Sequence, residues 1–464
     1  MSAVLTLRDQ DTPFPVEANV QVGKTTVAID GTLTNPAHLS AVDMQLKLSG
    51  ASLAHLYALS GIVLPETPPF STKGHLIGVL KNSQGKWTYE KFTGKVGASD
   101  LSGTMEFQQR EPRPLLTGTV VSKLLNFADL APIVGADSAA SKAKRDAPQV
   151  QPTDKALPVE PFKTERWDSI DADVKFTAQK ILHGEELPIE KLTTNIHLKD
   201  SVLSLTPLNF GMAGGNFISN IKLNGRNKII KAEMKISAQH LKLKQLFPAF
   251  QPMRTSLGEI NGEASLSATG NSIASLLGSS NGEIKALINQ GTISKLLLEQ
   301  IGLNIGNIVL TKLFGDKQVP LNCLAADFTV TNGVMQERIF VIDTSDAILH
   351  ITGNIDLKRE QMALVIKPET KGLRIFSLRA PLYVTGSFKK PDVDVDKGVL
   401  ALKAGSAIAL GAAAPVAALL PLVNAGPKQH SECASLLSAI RGKPVAPPPG
   451  KTYRDKKAPV RQTE

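Results

Sequence analysis

The sequence predicts a mainly β protein, an extended, twisted and repetitive antiparallel sheet with a few short helices. Three observations carry that expectation: apolar and polar residues alternate with a period of two almost throughout, a unit of strands and turns recurs imperfectly, and helical patterning is sparse. At 464 residues the chain is too long for one ordinary core, so it divides into domains or extends as an array.

The strands come first. In Ile170–Ala178 every second residue is apolar and the residues between are polar, which places one set of side chains on each face of a strand. Val42–Leu48, Lys231–Ala238, Ile260–Ala268, Ala326–Val330 and Ile351–Leu357 repeat the pattern. A sheet with one wet face and one apolar face is typically antiparallel, because parallel strands covered on both sides read as continuous apolar runs.

The repeat unit is a glycine-containing strand, a polar turn, a second strand and a short leucine-spaced segment. Val22–Leu59 has it, ending in Ser52–Leu59, and Phe210–Pro248 has it again, ending in His240–Pro248. Val96–Pro132 and Thr344–Pro381 are weaker copies. Their unequal spacing excludes a strict short-period solenoid and fits duplicated sheet units joined edge to edge.

Helical signals are few. Ile293–Leu313 carries an approximate helical stripe interrupted by Gly302 and Gly306. Ala404–Val423 is uncharged and about long enough to cross a bilayer, but alanine and glycine dominate it and Pro415 and Pro421 interrupt it, so a buried or membrane-surface helix is the better reading. Residues 137–166 are poor in large apolar side chains and contain four prolines, as a long loop or flexible linker would. The expected organisation is therefore a repeated β-sheet region over 1–136, the linker over 137–166, a second β-sheet region over 167–400, an alanine-rich helical segment over 401–441 and a disordered basic tail over 442–464. Met1–Asp11 has neither a basic region followed by an apolar core nor a spanning stretch. It opens within what reads as a strand, Val4–Leu7, as expected of a truncated or mis-started chain.

Composition narrows the function. Apolar residues make up 42% and aromatics only 5%, so the interior should be aliphatic. The net charge of +10 invites a nucleic-acid reading. Half of that excess sits in the tail, however, where Arg441, Lys443, Lys451, Arg454, Lys456, Lys457 and Arg461 face only Asp455 and Glu464. Basic residues are not interleaved with aromatics on the strands, as a single-strand nucleic-acid platform requires. No HExxH, Walker loop or dinucleotide fingerprint occurs, so no catalytic residue and no cofactor is assigned. Gly278–Gly282 matches the nucleophile-elbow string, but it lies between a helical pattern and a strand, the reverse of the order that exposes a serine. Asp392–Gly398 resembles the opening of a calcium loop with its glycine one residue late and Lys403 at the twelfth position, which favours an alternating strand end. His197 and His240 lie on or beside strands and read as surface residues. Cys323 and Cys433 cannot form a tetrahedral metal site alone, and no metal is assigned; one disulfide or two buried thiols remain.

Three strings in order, Leu203–Gly215 (LSLTPLNFGMAGG), Gly258–Gly270 (GEINGEASLSATG) and Asn281–Ile293 (NGEIKALINQGTI), resemble the C-terminal region of the AsmA family of bacterial envelope proteins. The resemblance covers about residues 160–400, and the earlier repeats fit that family's upstream sheet. It implies a periplasmic protein associated with the inner membrane through an N-terminal anchor, which this chain does not show. It also implies a role in outer-membrane biogenesis and lipid or phospholipid transport, on a sheet whose concave face is an apolar groove. No catalytic motif transfers.

On that resemblance the leading expectation is a non-enzymatic envelope protein that binds phospholipid or another envelope lipid and meets a membrane surface. The rows Ala172, Val174, Phe176, with Ala232, Met234, Ile236 and with Ala264, Leu266, Ala268, are the candidate groove lining. Alternation puts each trio on one face without showing that the three share it. The rival is a periplasmic scaffold whose apolar faces close as a sandwich and whose edges recruit envelope assembly proteins, helping outer-membrane protein assembly and protein targeting to the membrane. In an oxidising compartment Cys323 and Cys433 should pair.

Overall fold

The computed structural model describes residues 12–36, 38–61, 64, 66–81, 84–130, 151–162, 164, 167–182, 189–246, 257–294, 318–371, 373–374, 381–395, 424–425, 433–440 and 442–453. The alternating segments form strands in chain order: β1 (Pro13–Val22), β2 (Thr25–Thr34), β3 (Ala41–Gly50), β4 (Phe70–Lys81), β5 (Gln84–Val96), β6 (Ser99–Gln108) and β7 (Leu115–Asn126). Then come β8 (Asp171–Leu182), β9 (Ile189–Lys199), β10 (Val202–Met212), β11 (Gly215–Asn224), β12 (Ile230–Lys242), β13 (Leu257–Gly270), β14 (Asn281–Ile288) and β15 (Gly291–Ser294). The last are β16 (Gln318–Thr331), β17 (Val334–Thr344), β18 (Ala347–Asp356), β19 (Gln361–Thr370), β20 (Leu373–Arg374), β21 (Leu382–Ser387), β22 (Lys390–Val395) and β23 (Asn424–Ala425).

Twenty-one of these strands form one sheet, while β20 and β23 pair with each other. Neighbours in sequence are neighbours in the sheet from β1 to β13 and from β16 to β19, with β21 and β22 after them. β14 and β15 occupy one position, both pairing with β13 on one side and β16 on the other. The sheet thus has twenty positions, which at a spacing of about 4.8 Å extend roughly 90 Å across the strands.

Local chemistry explains the meander. Asn332 and Gly333, with φ of 49° and 78°, and Ala213 and Gly214, with φ of 50° and 69°, turn tight hairpins whose left-handed backbone matches the strand twist. Bulges keep alternation in phase with the face: at β10 Thr206 and Pro207 together oppose Asn195, so Leu205 and Leu208 both stay on one side. Helices among the described residues are short, Tyr57–Ser60, Leu243–Leu246, Ile273–Gly278 and Cys433–Ala439. None is long and apolar enough to cross a membrane. Ile293, the first residue of the predicted helical stripe, lies in β15, where β-branched Thr292 and Ile293 pair with β16; positions 295–313 of that stripe and all of 404–423 fall outside the described residues, as do Val4–Leu7.

Every pairing in the large sheet is antiparallel except β7–β8. A parallel neighbour requires a crossover, here supplied by residues 127–170. Part of that stretch, read from composition as a linker, lies against the turns at one sheet margin. The Lys389 ammonium donates to the Thr153 carbonyl, the Ala156 N–H to the Glu360 carboxylate, the Ala274 N–H to the Pro158 carbonyl and the Phe162 N–H to the Asn271 carbonyl. Lacking a hydrophobic run, the segment satisfies its backbone through turn residues instead of through a ladder.

Charge stitches the junction itself. The buried Asp171 carboxylate accepts from Arg110 at 2.7 Å and from Arg113 at 3.0 Å, while Arg113 also reaches Asp200 in the β9–β10 turn. Asp171→Ala leaves the partly buried Arg110 guanidinium without its anion and Arg113 paired with Asp200 alone. With Arg110 more than a third exposed and therefore screened, a loss of about 2–3 kcal/mol is expected. Urea unfolding checks this, and an unchanged midpoint would show that the junction does not depend on the charge cluster.

Candidate functional site

Register decides which side chains share a face, because residues directly opposed across a ladder project to the same side. A row followed from Val174 through consecutive pairings passes Ile196, Leu205, Ile221, Met234, Leu266, Gly282, Val330, Met335, Ile355 and Met362. Toward the other edge it passes Gly118, Met105, Tyr89, Leu76, Met44, Gly31 and Val16. No charged residue occurs in it.

The three sequence-assigned trios fall in adjacent rows of this one face. Ala172 connects through Leu198, Leu203 and Leu223 to Ala232 and then Ala268. Phe176 connects through Thr194, Leu208 and Ser219 to Ile236 and then Ala264. The intervening residues Ile196, Leu205 and Ile221 belong to the same floor. Sequence reasoning missed them because alternation identifies a strand's two faces but not which face joins its neighbour's.

The face is covered at its margins and partly exposed between them. At one margin lie the leucine-spaced ends of three repeat units: the turn Leu53–Ser60, the turn Phe127–Leu130 and the helix Leu243–Leu246. Leu56 packs with Phe70 and Val96, and Leu243 packs with Ile288 and Leu321. The Asp129 carboxylate fixes the second turn by accepting from the Ala98 and Ser99 N–H groups at 3.0 and 2.9 Å. At the other margin Leu276 of the helix Ile273–Gly278, together with Phe162, seals Ala232 and Ala268, both 0% exposed. Val174 and Leu266 are also buried, whereas Ala172, Phe176, Met234, Ile236, Ala264, Ile196, Leu205 and Ile221 remain partly exposed. The arrangement is a trough with capped walls and an apolar floor.

Glycines shape the floor toward β1. A Cβ at Gly74 would meet Phe92 and a Tyr89 ring atom at 2.8 Å, and one at Gly78 would meet the Trp87 ring at 2.7 Å, so these aromatic rings lie flat across β4. The Tyr89 hydroxyl donates to the Leu46 carbonyl at 3.3 Å, and burial raises its pKa despite its hydrogen bond with Thr72.

The opposite face is charged over most of its length, as at Asp173, Lys175, Glu233 and Lys235, which are exposed. From β13 to β17 it changes. There the C-terminal segment lies across it: Cys433 is joined by a disulfide to Cys323 of β16, with α-carbons 5.8 Å apart. The Lys285 ammonium donates to the Gly442 carbonyl, and the Val445 N–H donates to Glu283 at 3.0 Å. The first part of the stretch read as a disordered tail is therefore held on the sheet. Glu283 also accepts from Arg338 at 2.8 Å, and Arg338 bridges to Asp327 at 2.5 Å. Burial and the Glu283 charge push the Tyr453 hydroxyl up to about 12, with Arg338 opposing. Beside the disulfide the fully buried Asp343 pairs with Lys371 and accepts from the Asn322 side chain at 2.8 Å.

The remaining motifs resolve into structure. In the Gly278–Gly282 string the Ser279 hydroxyl donates to the Thr269 and Leu276 carbonyls and the Ser280 hydroxyl to the Leu277 carbonyl, closing the helix. Asp392 and Asp394 are exposed on β22. His197 lies 4.0 Å from Asp173, and His240 2.7 Å from Glu259 at a bulge in β12. Among the described residues the one group with metal-ligand spacing is Cys323, Asp343 and Cys433, whose two sulfurs are already bonded to each other.

These features define a class: a long, single-layered, mostly antiparallel sheet protein with one apolar face walled at its margins. The chain belongs to the AsmA family, whose family model matches residues 1–340. That span starts and ends earlier than the 160–400 suggested by the three sequence strings, because the N-terminal repeats carry the same pattern. The chain is 43% identical over 450 residues to AsmA family protein YhjG of Escherichia coli (strain K12), covering 95% of this chain and 66% of that protein. It thus spans just under two thirds of that relative's length. No solved structure matches. Membership suggests an envelope-related function.

The disulfide closes a separation of 110 residues. In the chain-entropy account this stabilises the fold by about 4–5 kcal/mol. Cys433→Ser should therefore lower the urea midpoint and raise amide exchange at Val445, and unchanged exchange there would mean that the segment holds without its covalent tie.

Proposed function

We propose that the trough carries the acyl chains of phospholipid or another envelope lipid between inner and outer membranes, and that the protein acts in the periplasm at the inner-membrane surface in outer-membrane biogenesis. The observation that carries this reading is the floor row itself, continuous from Val16 to Met362 and partly exposed at Ile196, Leu205, Ile221 and Met234. Each large aliphatic side chain taken from water contributes roughly 1.5–3 kcal/mol. A long uncovered row is therefore unfavourable without an apolar occupant.

Family membership supports an envelope setting. The rival scaffold reading requires the apolar face to be sealed by a second layer. The partial exposure of the central rows and the position of the caps at the margins both favour a trough. A length of roughly 90 Å suits passage along a continuous surface rather than storage at one point. The basic residues near the C-terminus provide an attraction to anionic headgroups that salt screens over about 8–10 Å.

Photo-crosslinking residues at Ile196, Leu205 and Met234 in envelope-expressing cells should give lipid adducts by mass, whereas the same residue at Asp173, Glu233 and Lys235 should not. Met234→Asp should lower lipid retention by about tenfold, since a charge in an apolar contact must be desolvated, and Lys235→Asp should leave it unchanged. Crosslinks confined to the chain itself at all three floor sites would overturn the trough and favour the scaffold.

A further inference from the structure

The floor carries one acidic residue that the passage of acyl chains does not explain. Glu337 of β17 directly opposes Phe328, which opposes Ile284, which opposes Ala264 of the trough lining. It follows Met335 by two residues, and Met335 lies in the central row. Its side chain therefore projects into the trough. The bulge between Asp327 and Phe328 adds Arg338 to the strand, and this guanidinium lies on the other face with Asp327 and Glu283. The nearest basic residue in sequence is thus turned away from it.

Glu337 is partly exposed as a residue, but its Oε2 atom is closed to solvent and has no hydrogen-bond partner among the described residues. A second such atom, the hydroxyl oxygen of Thr194, sits in the same row, with Thr194 only 7% exposed. A buried polar group without a partner is costly, and a carboxylate more so than a hydroxyl. Such a group persists where a ligand completes it.

We propose that Glu337 is a headgroup-selecting residue: its carboxylate receives the ammonium of an amine-bearing lipid whose chains lie on the apolar floor. This rests on the lipid reading of the trough and adds the class of lipid. A carboxylate on an apolar surface accepts hydrogen bonds from an ammonium and repels a lipid with only anionic groups, so selection follows from charge as well as from hydrogen bonding.

The test uses the full chain with vesicle-derived phosphatidylethanolamine and phosphatidylglycerol of identical acyl chains. Wild type should retain the ethanolamine lipid about tenfold over the glycerol lipid, the size of one charge-assisted hydrogen bond. Glu337→Gln, nearly isosteric and uncharged, should bring the ratio close to one. Glu233→Gln, on the outer face of β12, should leave it unchanged. On wild type alone, carbodiimide should couple the Glu337 carboxylate to the lipid amine as an amide, with the carbodiimide taking up the water, located by the mass of the peptide containing Glu337. Equal retention of both lipids by wild type, a preference that survives in Glu337→Gln, or no adduct on that peptide overturns the selection while leaving the trough intact. Failure of wild type to retain either lipid overturns the trough reading and this one with it.

Discussion

The structure depends on registered backbone pairing between consecutive strands. Side chains alternate with a period of two, so a slip of one residue at any pairing would send every later apolar row to the charged face. Twenty positions hold one apolar face because each hairpin and each bulge restores phase. At β10 the two residues Thr206 and Pro207 opposite Asn195 perform that correction, and at β17 the extra Arg338 does so while delivering its charge to the outer face. A long sheet of this kind has no central core to impose register from a distance. Local turn geometry and neighbouring strands must suffice.

Such a sheet has two weak points, its uncovered apolar face and its parallel junction, and the chain addresses them differently. The repeat units end in leucine-spaced turns that fold over the margin, so the same duplication that extends the sheet also caps it. The junction between β7 and β8 cannot be closed by a hairpin. It is held by the Asp171 cluster and by a crossover strap whose backbone bonds to turns as far along as β21–β22. The C-terminal segment covers part of the outer face from β13 to β17, and in β16 both faces are buried: Ala325 and Ala326, adjacent and pointing oppositely, are 0% and 4% exposed.

That double coverage explains why β16 departs from clean alternation in sequence, with Leu324-Ala325-Ala326 in place of an apolar–polar pair. The strands were legible because alternation is a local property, and even the short helix Ile273–Gly278 was visible as the helical pattern ahead of the Gly278–Gly282 string. Ile293 was read as helical because a four-residue strand is too short to show its period and its neighbours in sequence supplied the stripe. The candidate floor residues of β8, β12 and β13 were legible strand by strand, since Val174, Met234 and Leu266 each sit in an alternating run. Glu337 was not, because a glutamate in an alternating strand reads as an outward residue until its neighbours' registers are known.

The sequence by itself determined that this protein is an antiparallel β array with segregated faces, an aliphatic interior and repeat units ending in leucine-spaced segments, since each of these follows from residue type and short-range period. It also identified the two cysteines without placing them. Only the tertiary structure decided that the separate apolar faces join into one floor, that the margins are capped while the middle remains partly exposed, that residues 433–440 and 442–453 lie on the outer face, and that Glu337 points inward. Those facts depend on pairing between strands that can lie scores of residues apart. The period of two leaves each strand's facing relative to the others open, and hydrogen-bonded register fixes it.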